Sequence, residues 1–194
     1  MKFTLSIFFI LPLFCFAQPG NYADSLNTYI KKYVEEHEIV KGKDKKLMQF
    51  YPVNKQYRIA ATFELKENSE WFLMATSGKI KKEYRVYGTL SFFVNDTAVK
   101  LNIYQSKQLM ASPEYADYLF IPFTDKTTGF DTYGGGRYID LRMTDIKGAL
   151  YIIDFNKAYN PYCAYTAGYN CPIPPKENDL AVAVVAGEKN YGGH

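Results

Sequence analysis

The sequence predicts a mainly β fold: an antiparallel sandwich or partly closed barrel of about eight short strands, with one amphipathic helix near the N-terminus. Three observations predict it. Aromatic residues make up 17% of the chain, with 18 Tyr and 14 Phe, and strands favour these side chains. Apolar and polar residues alternate through most apolar segments, the period of a half-buried strand. One stretch alone changes to helical spacing. A chain of 194 residues suits a single domain, and 47% hydrophobic against 22% charged residues excludes disorder.

Residues 1–17 read as an export signal rather than as structure. Lys2 supplies a basic start, and residues 3–17 are uncharged and rich in Phe, Leu and Ile. A membrane span needs about 20 apolar residues, so no stable span is expected. Cleavage after Ala17 would send the protein to the periplasm or the medium. Phe14 is too large for the position before a lipidated cysteine, which ranks a lipoprotein on Cys15 below simple secretion.

The next segment, 18–46, carries the helix. Leu26, Tyr29, Ile30, Tyr33, Val34 and His37 follow the i, i+3, i+4, i+7 rule for one face, and Asp24 or Ser25 is the expected cap. Lys31, Lys32, Glu35 and Glu36 form the solvated side. Residues 47–194 are the β-rich domain. Tyr57, Ile59, Ala61, Phe63 and Leu65 alternate with polar or small residues; residues 71–76 are a short apolar run. Residues 84–104 read as a hairpin turning at Asn95 and Asp96. Residues 118–123, 138–142, 150–155 and 180–186 complete the expected strands.

Two long loops interrupt them, residues 124–136 and 156–176, and connections of that length are often functional. The second holds Pro161, Pro172, Pro174 and Pro175, together with Cys163 and Cys171. Zinc normally wants four ligands, and the only histidines are His37 and His194. With no CxxC pair and an export signal, a disulfide between the two cysteines is preferred to a metal site.

A net charge of +3 without a basic run excludes a nucleic-acid footprint. No phosphate-loop, dinucleotide or GxSxG pattern is present, and no cofactor is expected. Gly134, Gly135 and Gly136 could bring backbone amides to an anion beside Arg137, although such glycines commonly serve a turn. Asp125, Asp131, Asp154 and Glu177 are candidate acids or bases, with solvated surface carboxylates as the plain alternative. Asp125 and Asp131 do not follow Ca²⁺-loop spacing. Tyr159, Tyr162, Tyr165 and Tyr169, with Asn156 and Asn160, could stack on and hydrogen-bond a sugar or other flat ligand, or pack beneath the loop.

The motifs GGGRYIDL (134–141), DFNKAYNPYCAY (154–165), CPIPPKEN (171–178) and AGEKNY (186–191) occur in that order. With YPVNKQYRIAATF (51–63) and FIPFTDKTTGFDTYGGGRY (120–138), they make residues 47–191 resemble the bacterial domain of unknown function 1684 family. The resemblance implies a domain rather than a reaction. Its motif positions fall on Asp125, Tyr133, Arg137, Asp140, Asp154, Asn156, Asn160, Cys163, Cys171, Glu177, Asn178 and Glu188. The expectation is a small polar ligand, anionic or saccharide, held between the two loops by Tyr133, Arg137, Asn156, Tyr159, Asn160, Tyr162 and Asn178. A hydrolase using Asp125, Asp154 or Glu177 is the alternative, and a structural surface protein the third. Equally, Arg137, Asp154 and Glu177 could form an internal network that fixes the loops.

Overall fold

The alternating segments pair into one sheet rather than two. The computed structural model describes residues 21–193, so the export segment expected over residues 1–17 lies outside the described residues. Seven strands follow in chain order: β1 (Arg58–Leu65), β2 (Phe72–Met74), β3 (Lys82–Val94), β4 (Thr97–Ser106), β5 (Tyr118–Phe123), β6 (Arg137–Arg142) and β7 (Leu150–Asp154). All pairings are antiparallel, in the order β6-β5-β4-β3-β1-β7 with β2 added on β3. The sheet curls into a half-barrel with the helix packed against it.

β3 and β4 form the expected hairpin. Asn95 and Asp96 take φ of 45° and 63°, the two-residue turn whose twist suits paired strands. Along β3 the even-numbered residues do not all face one way. Tyr84 and Val86 pack with Met74, Phe120 and Tyr138, whereas Leu90, Phe92 and Val94 join the main core on the opposite side. A bulge between Val86 and Gly88 makes the change, because one extra residue swaps the face on which later side chains emerge. A Cβ on Gly88 would stand 2.3 Å from the Phe63 ring, so only glycine lets β1 and β3 close there.

The main core joins Leu101, Ile103, Leu119, Ile121, Phe123, Ile139, Leu141 and Ile153 of the sheet to Leu180, Val184 and Ala186 of the C-terminal segment. That segment corrects one expectation. Residues 180–186 alternate as a strand would, yet they are not one. Their backbone is satisfied in two ways: Leu180 N donates to Thr124 O at 2.8 Å and Lys126 N to Val182 O at 3.0 Å, but beyond them Arg137 donates to the carbonyls of Val184 (2.9 Å), Ala186 and Glu188 (3.3 Å), and Asp125 Oδ1 accepts from Val184 N at 3.4 Å. Burial set the alternation, while past Val182 a guanidinium replaced the ladder that would have made a strand.

Asn178 performs a similar service between β4 and β5, whose register runs through Tyr104 and Phe120. Its Oδ1 accepts from Asn102 N at 2.8 Å, and its Nδ2 donates to Asn102 O at 2.9 Å and Pro122 O at 2.7 Å. The side-chain amide acts as an extra peptide group in a gap of the ladder.

The helix, α1 (Tyr22–Glu36), begins earlier than expected, and its cap is Asn21 rather than Asp24 or Ser25; Asn21 Oδ1 accepts from Ala23 N at 3.3 Å. Leu26 is its buried anchor. Lys31–Glu35 and Lys32–Glu36 pair at 3.8 Å on the exposed side, and such pairs contribute about 0.3–0.5 kcal/mol each. Past its end His37 Nδ1 accepts from Val40 N at 3.0 Å, which turns the chain away. Tyr22 ties the start of α1 to Asp154 at 2.8 Å, and Tyr33 reaches Glu188 at 3.3 Å. Among the described residues no helix is long and apolar enough to cross a membrane.

Candidate functional site

Strand parity sends Ile139 and Leu141 of β6 into the main core and leaves Tyr138 and Asp140 on the other face. The start of the proline-rich loop pairs with β6 there: Tyr138 N donates to Tyr159 O at 2.9 Å and Tyr159 N to Tyr138 O at 3.0 Å. Helix α1 then crosses over both. Between them lies a cavity of about 500 Å³, floored by Tyr138 and Asp140 and walled by Tyr29, Tyr33 and His37 of the helix side and by Tyr159, Tyr162, Tyr169 and Pro172 of the loop. Glu36, Glu38 and Lys82 also line it.

The expected bridge braces this wall. Cys163 and Cys171 are joined, with Cα atoms 6.3 Å apart, inside the usual range for a disulfide. Tyr162 precedes Cys163 and Tyr169 lies within the bridged loop, and their rings meet at 5.2 Å between centroids.

Asp140 is the charged centre of the floor. Its Oδ1 accepts from Tyr159 Oη at 2.6 Å and from Tyr118 Oη at 2.7 Å. Solvent reaches the residue through the cavity, while protein atoms crowd its carboxyl. Desolvation therefore pushes its pKa up, against the opposing pull of the two tyrosine hydroxyls and Arg142. Tyr159 in turn is raised well above the ordinary tyrosine value, by burial first and the Asp140 charge second.

His37 contributes a different group. It is 5% exposed, its Nδ1 is occupied by Val40 N, and its Nε2 has no hydrogen-bond partner. Burial lowers its pKa, and Lys45 and Lys41 lower it further. The neutral ring with Nδ1 accepting carries its proton on Nε2, so a residue of the cavity lining holds an unpaired donor that is itself shielded from solvent.

Of the residues expected to bind ligand, Tyr159 and Tyr162 line the cavity and the others do not. Arg137 is 1% exposed, paired with Asp125 at 2.7 Å and stacked over Phe123, so it offers no free fork to an anion. The glycines before it are a turn: Gly136 has φ +82°, and a Cβ there would stand 2.6 Å from Phe123 O. Tyr133 packs in the cluster beneath α1. Asn156 bonds both backbone groups of Asn54, at 2.8 and 2.9 Å. Asn160 N donates to Glu188 Oε2 at 2.9 Å, and its Nδ2 donates to Lys189 O at 2.8 Å. Asn178 is spent between β4 and β5.

The candidate acids are equally scattered. Asp125 serves Arg137, Asp154 holds Tyr22 and Asn156, and Glu177 is exposed outside the cavity lining. The internal network exists with different members from those expected: Arg137 pairs with Asp125, not with Asp154 or Glu177. Glu188 adds a second buried cluster, accepting from Tyr165 at 2.6 Å and Tyr33 at 3.3 Å. Among the described residues no group of three or more His, Cys, Asp or Glu side chains could hold a metal ion.

The sequence carried signals for the residues it left out of the site. Tyr29 and Tyr33 of α1 and His37 at its C-cap recur every four residues, an aromatic stripe. Tyr138 and Asp140 share one strand face by parity. What joins the two sets is packing between segments more than a hundred residues apart.

Residues 45–189 match the family model described as "Protein of unknown function (DUF1684)". The chain is also similar to the solution NMR structure of an uncharacterized protein from Haloarcula marismortui. The two are 29% identical, the match covers 88% of this chain and 97% of that one, and the TM-score is 0.65. No curated protein matches the chain.

Proposed function

Since the chain belongs to the DUF1684 family, whose description assigns no reaction, we propose from the site itself that the protein binds a small polar ligand in the tyrosine-lined cavity. One observation carries the reading: Asp140 sits on the floor with one oxygen held by Tyr118 and Tyr159. A concave site of about 300–1,000 Å³ with mainly apolar walls and a few convergent polar groups is the usual form of a ligand pocket. The unpaired Nε2 of His37 supports it further, because a buried donor without a partner costs about 1–3 kcal/mol until something accepts from it.

The site moves from the gap between the two long loops to the gap between α1, β6 and the proline-rich loop. An anion suits it poorly. Glu36, Glu38 and Asp140 oppose Lys82 in the lining, and Arg137, the cation proposed for an anionic ligand, is sealed elsewhere. A hydrolase built on Asp125, Asp154 and Glu177 has no geometry to support it, since each serves a different neighbourhood.

Export remains part of the proposal. The Cys163–Cys171 bond supports it, because such bonds persist in oxidising compartments.

A thermal-shift screen of neutral, cationic and anionic metabolites tests the binding reading, run on the protein and on its Tyr162→Ala variant. Ligands that stabilise the protein should lose most of that effect in the variant. If no compound acts, or those that act are indifferent to Tyr162→Ala, the cavity is not a binding site.

A further inference from the structure

Six rings run in one arc around the cavity: Tyr138, Tyr159, Tyr33, His37, Tyr162 and Tyr169. Successive centroids stand 5.9, 6.2, 5.5, 6.0 and 5.2 Å apart, and successive planes meet at 85°, 51°, 72°, 80° and 71°. Rings that mostly stand edge to face with their neighbours make a curved wall. Stacking on the flat face of a sugar calls for a flat platform, and a curved wall instead surrounds part of a compact group.

Charge selects the group. An aromatic face attracts positive charge, most strongly where water is excluded. The lining adds the carboxylates of Asp140, Glu36 and Glu38 against the single ammonium of Lys82. Tyr162 Oη donates to Glu38 Oε2 at 2.9 Å, so one carboxylate is held at the wall rather than loose in solvent. The Nε2–H of neutral His37 cannot serve a cation directly and asks for an oxygen.

Taking the cavity as a binding site, we infer that its ligand is an organic cation: a compact alkylated ammonium head enclosed by the tyrosine arc beside Asp140, with a hydroxyl or carbonyl oxygen a few bonds away that accepts from His37 Nε2. Charge spread over methyl groups fits the tyrosine walls without demanding hydrogen bonds they cannot supply. The oxygen relieves the one buried donor of the wall that has no partner.

Choline is the probe, measured by calorimetry and by saturation transfer to its N-methyl protons. Its neutral carbon isostere, 3,3-dimethylbutan-1-ol, has the same shape without the charge, and tetramethylammonium has the head without the oxygen. Choline should bind at least tenfold tighter than the isostere and tighter than tetramethylammonium. Asp140→Asn should weaken choline at least fivefold while leaving the isostere unchanged; the amide oxygen still accepts from Tyr118 and Tyr159, so the fold is kept. Glu38→Gln, at the rim, should weaken choline in the same direction. Equal affinity for choline and its isostere overturns the inference. So does binding of glucose or N-acetylglucosamine without choline, although Tyr162-dependent sugar binding would leave the pocket reading standing. Failure of all these probes to bind overturns the cationic assignment, and the wider metabolite screen then decides the pocket separately.

Discussion

Arg137 Nη2 lies 2.7 Å from Asp125 Oδ2, and the two side chains are sealed from solvent together. The same guanidinium gathers the carbonyls of Val184, Ala186 and Glu188, while Asp125 Oδ1 accepts from the backbone and hydroxyl of Thr127 at 2.6 Å. One ion pair thus fastens the 124–136 loop, the entrance of β6 and the C-terminal segment to one another. Its importance is in folding the domain, away from the cavity.

Removing one partner leaves the other charge buried. Asp125→Ala should therefore cost about 3–5 kcal/mol in urea denaturation. Arg137→Lys keeps the charge but loses the planar fork that serves three carbonyls, and should also destabilise. In both variants the folded fraction should bind cavity ligands as the parent does. A loss of affinity without a loss of stability would return Arg137 to the binding site.

Asn178→Ala would orphan Asn102 N–H and the carbonyls of Asn102 and Pro122. The expected cost is about 2–4 kcal/mol, read in denaturant. Hydrogen exchange at the Asn102 amide should quicken more than at Leu101 or Ile103 beside it. Unchanged exchange at Asn102 would mean that its bond to Asn178 adds nothing.

Glu188 is fully buried, and its pKa is pushed up to about 7, chiefly by desolvation; Tyr165, Asn160 N–H, Tyr33 and Arg137 pull the other way. A carboxyl whose folded pKa exceeds its unfolded value of 4.5 favours the fold while protonated. Its contribution is whole below about pH 4.5 and is lost as pH rises to about 7, a decline of about 3 kcal/mol. Asp140 acts in the same direction and His37 in the opposite one, stabilising above its unfolded pKa of 6.5 and less as pH falls. Denaturation of the protein and of Glu188→Gln in parallel isolates the first: the difference between their stabilities should change steadily between pH 4.5 and 7 and level off above. A flat difference across that window would show that Glu188 ionises normally.

Reducing Cys163–Cys171 should cost about 2.5 kcal/mol by the loop-closure relation. Amide exchange should rise first over residues 162–171, with the β3–β4 hairpin little changed. Ligands of the cavity should weaken as well, because Tyr162 is next to Cys163 and Tyr169 lies within the bridged loop. Two free thiols in the denatured, unreduced protein would remove the basis of this prediction.

Much of the fold was legible because alternation and helical spacing are local. Seven strands, the turn at Asn95 and Asp96, the apolar face of α1 and the close spacing of Cys163 and Cys171 each follow from a few neighbouring residues. Even the wrongly expected eighth strand had the right burial: Leu180, Val184 and Ala186 do face the core. Its broken ladder was not legible, since past Val182 the groups that replace it come from the side chains of Arg137 and Asp125, some fifty residues away.

The site divides along the same line. Sequence alone determined which residues are unusual, and of the polar motif residues Asp125, Arg137, Asp154, Asn156, Asn160, Asn178 and Glu188 are engaged in buried networks, whereas Glu177 is exposed. Tertiary structure decided what each is for. Arg137, Asn156, Asn160 and Asn178 are polar groups that must find partners once buried, and they found backbone; Asp140 was left facing a space between α1 and the disulfide loop, with the unpaired His37 Nε2 in its wall. Tyr22 and Tyr33 each bond residues 132 or more positions away. A polar side chain reads the same in sequence whether it closes a network or faces a ligand; the difference is made by the packing of distant segments, which decides where unsatisfied hydrogen-bonding capacity remains.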